Sequence, residues 1–399
     1  MKQLVIIGAG LAGYTAAREF RKLDKTTPLF IITADDGGFY SKPMLSNAFA
    51  QNKSAEQLVS QTAAQMAQQI SANIMTGTRV LNIDAVSKTV DTTAGRFEYG
   101  RLVIAVGAQP VRLPIAGDAA EEILSVNHLE DYVRFRAAIA KFNQRGGARV
   151  TILGAGLIGC EFADDLSGAG HAVTLVDPNP APLAALAAPA LSDGLQAALA
   201  SKGVALRLGT TAAGVDRNGD ALRVTLANGT AVETDLVLSA VGLRPDLRLA
   251  QAAKLSTGRG IIVDETGQTS APDVYALGDC AEYTWDSGTR TLPYIAPLMA
   301  AARAIARTLT GQPTAIDLKA APVIVKTPSY PLALVPPPLH VAAGGYWESE
   351  QNGARMVCRF YDSAHVMHGF GVAPQEAAIR SELLAALGTV NPRTVNTAV

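Results

Sequence analysis

Leu4-Val5-Ile6-Ile7-Gly8-Ala9-Gly10-Leu11-Ala12-Gly13 stands near the start of the chain, and Val150-Thr151-Ile152-Leu153-Gly154-Ala155-Gly156-Leu157-Ile158-Gly159 repeats its pattern in mid-chain. Each copy opens on an apolar run that does not alternate with polar residues, as expected of a strand buried on both faces of a parallel sheet. Each Gly-x-Gly-x-x-Gly turn then leads into a helical stretch, residues 14–23 and 160–169. A further strand follows in each copy, residues 29–33 and 172–177. Strand, glycine turn, helix and strand make a βαβ unit, and the chain holds two of them.

The repeat extends further. A polar hairpin is expected in both copies, residues 89–92 with 96–99, and residues 221–226 with 231–234 across Asn228-Gly229, a strong hairpin signal. Each hairpin feeds an apolar strand ending in the same tripeptide, Ala105-Val106-Gly107 and Ala240-Val241-Gly242. After Pro245 the first module resumes, with strands expected at 260–263 and 274–277 and a buried helix at 297–309. One module is therefore inserted in the other. Beyond Lys319 the pattern changes to antiparallel strands and loops (323–326, 328–338, 341–346, 355–361), with a closing helix at 373–387. Residues 178–189, rich in proline and alanine, read as a loop. The expected boundaries are 1–115 and 246–318 for the outer domain, 116–245 for the inserted one and 319–399 for the tail.

Composition narrows the function. Of 399 residues, 48% are hydrophobic and 17% charged, the balance of a globular chain of two to four domains. With 34 Lys and Arg against 35 Asp and Glu the net charge is −1, which gives no support to a nucleic-acid or membrane-surface binder. Cys160, Cys280 and Cys358 are too few for a disulfide framework and lack metal-site spacing, so a reducing cytoplasm is the expected compartment. His128, His171, His340, His365 and His368 offer no metal spacing either, and His365 and His368 read as surface residues. No apolar run has the length of a membrane span, and Met1-Lys2-Gln3 with Leu4-Val5-Ile6-Ile7 reads as the first strand rather than a leader.

Glycine turns in this context have a specific chemistry. Gly8 and Gly154 allow the tight turn, Gly10 and Gly156 admit a pyrophosphate, and Gly13 and Gly159 let helix and strand pack closely. The anion would rest on free N–H groups at the helix start. Asp177 closes the second strand of the inserted module, where a carboxylate accepts from both ribose hydroxyls and repels a 2′-phosphate. Pro178-Asn179-Pro180 follow without a basic residue, so NADH is expected over NADPH. In the outer module the acid is displaced, and Thr33, Ala34 or Asp35 could each supply part of the contact.

A third fingerprint, Thr269-Ser270-Ala271-Pro272-Asp273-Val274-Tyr275-Ala276-Leu277-Gly278-Asp279, resembles the second flavin motif of the flavoproteins with two dinucleotide-binding domains. The two Ala-Val-Gly tripeptides resemble that family's domain-crossing motifs. The likeness implies two Rossmann-like domains in a glutathione-reductase-like α/β fold, an NAD domain inserted in an FAD domain, with a small C-terminal α+β domain. It also implies non-covalent FAD, with Asp279 on its ribityl chain. Within the family, Thr33-Ala34-Asp35-Asp36-Gly37, Tyr40-Ser41-Lys42-Pro43-Met44-Leu45-Ser46 and Val323-Ile324-Val325-Lys326-Thr327-Pro328 resemble bacterial rubredoxin reductases. That resemblance places Lys42, Pro43, Val80, Glu161, Asp279, Ile295 and Lys326 along FAD. With the residues above, Ala9, Ala12, Ala105, Gly242 and Gly278 complete the expected cofactor-binding set. Glu161 also has a plainer explanation, since the helix dipole favours an acid in a first turn.

Hydride transfer from NADH to a flavin needs positioning, not a general base, and no catalytic side chain or metal ligand is expected. Disulfide-reducing relatives carry a reactive cysteine after the first module's second strand, and residues 35–50 contain none. Cys160 and Cys280 read as buried packing residues. Electrons should therefore leave FAD directly for an external acceptor. The resemblance implies rubredoxin, docking beside Lys42, Lys326 and parts of the tail, in a chain feeding an oxygenase such as an alkane hydroxylase or an oxygen- or nitric-oxide-detoxifying oxidase. A ferredoxin reductase of another oxygenase system shares every motif, and an apoptosis-inducing-factor-like interaction protein is the rival of another class. A basic docking patch requires folding to segregate Lys319, Lys326, Arg355, Arg359, Arg380 and Arg393 from Glu348, Glu350, Asp362, Glu376 and Glu382. The oligomeric state stays open between monomer and dimer.

Overall fold

The computed structural model describes residues 3–285 and 288–391. It resolves into two compact units, each drawn from three stretches of chain. The first comprises Met1–Lys42, Ala55–Val111 and Leu243–Lys319, and the second Pro43–Ser54, Arg112–Gly242 and Ala320–Val399.

A five-stranded parallel sheet forms the centre of the first unit, in the order Val274–Ala276, Arg101–Ile104, Leu4–Ile7, Leu29–Ile32, Asn73–Met75. Its edge strand Val274–Ala276 comes from the chain that returns after the insertion. Leu4–Ile7 is buried along its whole length, which is why its sequence does not alternate. The helices Leu11–Leu23 and Ile295–Leu309 pack together beside the sheet. The second presents Ala301, Ala302, Ile305 and Leu309 to the core. Short strands Ala108–Pro110 and Leu243–Pro245 pair antiparallel where the chain leaves and returns.

The second unit holds a four-stranded parallel sheet in the order Ala205–Leu208, Ala172–Asp177, Arg149–Leu153, Leu236–Ser239. The repeat extends beyond the hairpins, because each gains a third strand: Val80–Asp84 beside Thr89–Thr92 and Gly95–Glu98, and Ala212–Asn218 beside Ala221–Leu226 and Ala231–Thr234. The tail builds a five-stranded antiparallel sheet in the order Val323–Val325, Leu332–Val335, Met367–Ala373, Arg355–Tyr361, Tyr346–Asn352. Helix Pro189–Ser201 lies against that sheet, and glycine allows close approach at two points of contact. A Cβ at Gly194 would meet the Tyr330 hydroxyl at 2.3 Å, and one at Gly371 would meet Leu191 Cδ1 at 2.3 Å.

Two expectations for the tail are corrected. Residues 373–387 are not one helix: Ala373 ends the strand Met367–Ala373, and the helix is Ala377–Ala385. Pro374 lacks the N–H and intervenes between them. Residues 341–346 are not a strand either. Pro338 starts a short helix, Leu339–Ala342, Gly344-Gly345 break it, and the strand begins at Tyr346. His365 and His368 are partly exposed at the surface, and each has a hydrogen-bonding neighbour. His365 Nδ1 lies 2.7 Å from the Tyr346 hydroxyl, and His368 Nε2 lies 2.8 Å from Asp362 Oδ2.

Candidate functional site

The two glycine turns have the same local physics. Gly8 has φ +108°, and a Cβ there would stand 2.4 Å from the Ala105 carbonyl oxygen. Gly154 has φ +103°, with the Ala240 carbonyl oxygen 2.6 Å from the same imaginary atom. At Gly13 and Gly159 a Cβ would sit 1.9 and 1.8 Å from the Gly8 and Gly154 carbonyls, so only glycine lets the helix pack there. Gly10 and Gly156 differ: nothing lies within 4 Å of a Cβ at either. Each is the N-cap of its helix, and neither helix start has a side-chain cap. The two turns thus leave open backbone beside uncapped helix N-termini, a shape that fits a pyrophosphate.

In the first unit Ala105 and Gly278 lie against the turn. Ala105 follows the strand Arg101–Ile104, and its N–H donates to Ile7 O. Gly278 has φ +80° and lies so close to Ala12 that a Cβ would meet that methyl at 2.9 Å. The second flavin-like motif is therefore beside the first glycine turn. Ala9 is buried next to it. Burial holds the Asp279 carboxyl above the usual carboxylate range, and the Lys42 charge pulls it partly back. Thr33 is buried while Ala34 and Asp35 are exposed. Asp35 Oδ1 accepts from Thr33 Oγ1 at 2.6 Å and from Gly37 N at 3.0 Å, so that oxygen closes its own turn. Val80 is buried at the start of its strand, and Ile295, first in its helix, is half exposed.

In the second unit Asp177 ends its strand as expected and is buried. Its Oδ2 accepts from Ala155 N at 2.6 Å, inside the glycine turn, and its Oδ1 accepts from Asn179 N and Nδ2, both at 2.8 Å. The carboxylate thus also braces the turn. Gly242 has φ +110° with open space around it.

Glu161 and Lys326, both assigned to FAD by the resemblance, are in direct contact. Lys326 donates to Glu161 twice, from N to Oε1 at 2.9 Å and from Nζ to Oε2 at 2.7 Å. Ser46 Oγ donates to the same Oε2 at 2.6 Å, and Pro43 lies three residues before it. The plain dipole explanation of Glu161 is therefore insufficient, because a carboxylate 5% exposed is held by three donors.

Sequence reasoning missed that Glu161 has two companions. Helix Leu157–Gly168 also buries Asp164 and Asp165, at 1% and 5% exposure. Positions 161, 164 and 165 share one helical face. Asp164 Oδ2 accepts from Ser329 N at 3.0 Å, and the Lys202 ammonium stands 3.0 Å from Oδ1. Asp165 accepts from Phe49 N at 2.8 Å and Ala50 N at 3.0 Å. Burial raises its carboxyl, with the backbone donors opposing. The available signal was three acids in an apolar helix that has no Lys or Arg. Buried acids need donors, and here those come from two distant strips, residues 43–54 and 326–329.

All three cysteines are free and buried. Burial pushes the Cys280 thiol up to about 12 and the Cys160 and Cys358 thiols upward as well, which leaves them protonated at neutral pH. Among the described residues no group of His, Cys, Asp or Glu is arranged to hold a metal ion, and no helix is long and apolar enough to cross a membrane. Four of the tail's cations have ion-pair partners. Lys319 pairs with Asp317, Lys326 with Glu161, Arg355 with Glu376 and Arg359 with Glu350. Arg393 lies outside the described residues.

Two glycine turns on parallel sheets, one inserted in the other, define the class, and the chain belongs to the pyridine nucleotide-disulphide oxidoreductase family, whose model matches residues 2–305. The family uses a pyridine nucleotide and a flavin. Residues 315–387 match a second model, the rubredoxin binding C-terminal domain. The chain is 42% identical to the rubredoxin-NAD(+) reductase of Alcanivorax borkumensis, over 98% of this chain and 100% of that one. It is 39% identical to the nitric oxide reductase FlRd-NAD(+) reductase of Aeromonas hydrophila, covering 97% and 96% of the two. Among solved structures it resembles putidaredoxin reductase in covalent complex with putidaredoxin, with TM-score 0.86, 26% identity and coverage of 99% and 95%.

Proposed function

We propose that this chain is an NADH-dependent rubredoxin reductase with non-covalent FAD, acting in the cytoplasm within an electron-transfer chain that ends at an oxygenase or an oxygen- or nitric-oxide-detoxifying oxidase. The observation that carries the reading is the match of residues 315–387 to a rubredoxin binding domain on a pyridine-nucleotide oxidoreductase. The domain division read from the sequence belongs to the proposal, with FAD held by residues 1–115 and 246–318 and NADH by 116–245. Bound FAD would supply the chemistry that couples a two-electron hydride donor, NADH, to a one-electron iron centre.

The chain's own residues hold and orient. Gly8, Ala9, Gly10, Ala12 and Gly13 present backbone N–H groups to the FAD pyrophosphate, and Thr33, Ala34 and Asp35 flank its adenosine ribose. Asp279, beside Gly278 and Ala105, takes the ribityl hydroxyls. The resemblance assigns Lys42, Pro43, Val80, Ile295, Glu161 and Lys326 to FAD as well. Gly154, Gly156, Gly159 and Gly242 admit NADH, and Asp177 accepts from its adenosine ribose. No thiol takes part: Cys160, Cys280 and Cys358 are buried and held protonated.

The likeness to putidaredoxin reductase favours one second reading, an NADH-ferredoxin reductase of an oxygenase system. NADH oxidation by the purified yellow protein, measured with rubredoxin and a ferredoxin side by side, decides between them. Brisk turnover with rubredoxin supports the first. Turnover with ferredoxin alone moves the assignment to the second, and a folded protein that takes up no FAD ends both.

A further inference from the structure

Asp165 does no work in the function just described, yet it is a buried acid with two strong contacts. The strip that follows Pro43 runs alongside helix Leu157–Gly168. Ser46 meets Glu161, and Phe49 and Ala50, one helical turn further on, meet Asp165. Aromatic packing also holds the strip, since the Phe49 ring lies 5.2 Å from Tyr132 and 5.4 Å from Phe135, edge to face. Such packing fixes where a ring sits but tolerates small slides along the helix. Two adjacent amides on the two oxygens of one carboxylate do not tolerate them. Among side chains of this length only an ionised aspartate has two acceptors and no donor.

We propose that Asp165 is a positioning residue for the reductase site: by clasping the Phe49 and Ala50 amides it sets the register of the 43–54 strip, so that Ser46 reaches Glu161 and holds its carboxylate on the Lys326 ammonium. The proposal rests on the reading that Glu161 and Lys326 line the flavin. Asp165 acts only through Ser46, so the two residues are one mechanical path. Changing Asp165 to Asn turns one acceptor into a donor facing an amide N–H, and the strip loses its stop.

The test uses the FAD-loaded enzyme carrying Asp165→Asn, Ser46→Ala, or both, with two readouts. Hydrogen exchange of the Phe49 and Ala50 amides reports the clasp without reference to activity. The rate constant of flavin reduction by NADH, in anaerobic stopped flow, reports the site. Asp165→Asn should speed exchange at both amides and slow reduction by roughly tenfold. Ser46→Ala should leave the amides protected and slow reduction by a similar factor. The double variant should be no slower than the slower single one, because both changes cut the same path. Slowing that multiplies in the double variant overturns the proposal, as do amides that stay protected in Asp165→Asn. If Asp165→Asn does not fold, Asp165→Glu serves, since it keeps the charge but moves the clasp by one methylene, with the same pattern expected. A distinct result, wild-type reduction rates in both Ser46→Ala and Glu161→Gln, removes the flavin-lining reading itself and the proposal with it.

Discussion

At the scale of single residues, the sequence was most legible where one side chain's task is set by its place in the motif. The place of Asp177 at the end of the strand after a glycine turn was read from the sequence. Its bonds to Ala155 N and Asn179 were not read from the sequence, although both residues stand in or beside the motif. Asp177→Ala should therefore weaken NADH binding by about 1.5–3 kcal/mol, the worth of a charged hydrogen bond, and narrow the NADH-to-NADPH preference. Comparison of kcat/KM for both nucleotides checks it, and an unaltered ratio contradicts the ribose assignment. Asp279 gives a prediction with a pH sign. Burial raises its folded pKa, so the folded state keeps the proton to higher pH than the unfolded chain. Its contribution to stability is then present at low pH and is lost as pH rises through the raised value. In FAD-free protein, Asp279→Asn should flatten that decline and raise the melting temperature at neutral pH while weakening FAD uptake. Asp246, held low by Arg248, runs the opposite way, so the comparison is between variant and parent across pH. Equal pH profiles would refute the assignment.

At the scale of elements, strands and glycine turns were legible because burial on both faces and positive φ leave few residue choices. Leu4–Ile7, Ala172–Asp177 and the hairpin at Asn228-Gly229 fall where the sequence places them. The acid face of Leu157–Gly168 was not legible, because its donors arrive from strips far along the chain and periodicity within a helix carries no trace of them. The tail was read least well. Met367–Ala373 mixes glycine with apolar residues next to a helix former, and only pairing with Leu332–Val335 and Arg355–Tyr361 makes it a strand. The glycine turns separate fold from binding. Gly159→Ala forces a methyl to 1.8 Å from the Gly154 carbonyl and should lower stability by about 1–3 kcal/mol or more. Gly156→Ala meets nothing within 4 Å. It should leave thermal unfolding of the FAD-loaded protein nearly unchanged and impair NADH binding by filling the approach. Calorimetry and NADH titration on the two variants check the contrast, and equal losses of stability would contradict it.

For the whole molecule, net charge of −1 and paired tail cations bear on association with a partner. Charges that neutralise one another within a few ångströms steer little at a distance. The second-order rate of rubredoxin reduction should therefore change only modestly, by less than about tenfold, between low and high salt. Stopped-flow mixing of prereduced enzyme with rubredoxin measures it, and a steep fall with ionic strength would show that a basic patch exists beyond these pairs. The chain also passes between its two compact units five times, at 42/43, 54/55, 111/112, 242/243 and 319/320. On the ribosome this imposes an order. The sheet of Arg149–Leu153 and its neighbours is complete once Leu236–Ser239 has emerged, whereas the sheet begun by Leu4–Ile7 lacks its edge until Val274–Ala276 is made. The amino-terminal third must wait, its apolar strand edge unpaired, while a later stretch finishes ahead of it. That interval is when a nascent chain of this design is most in need of a chaperone.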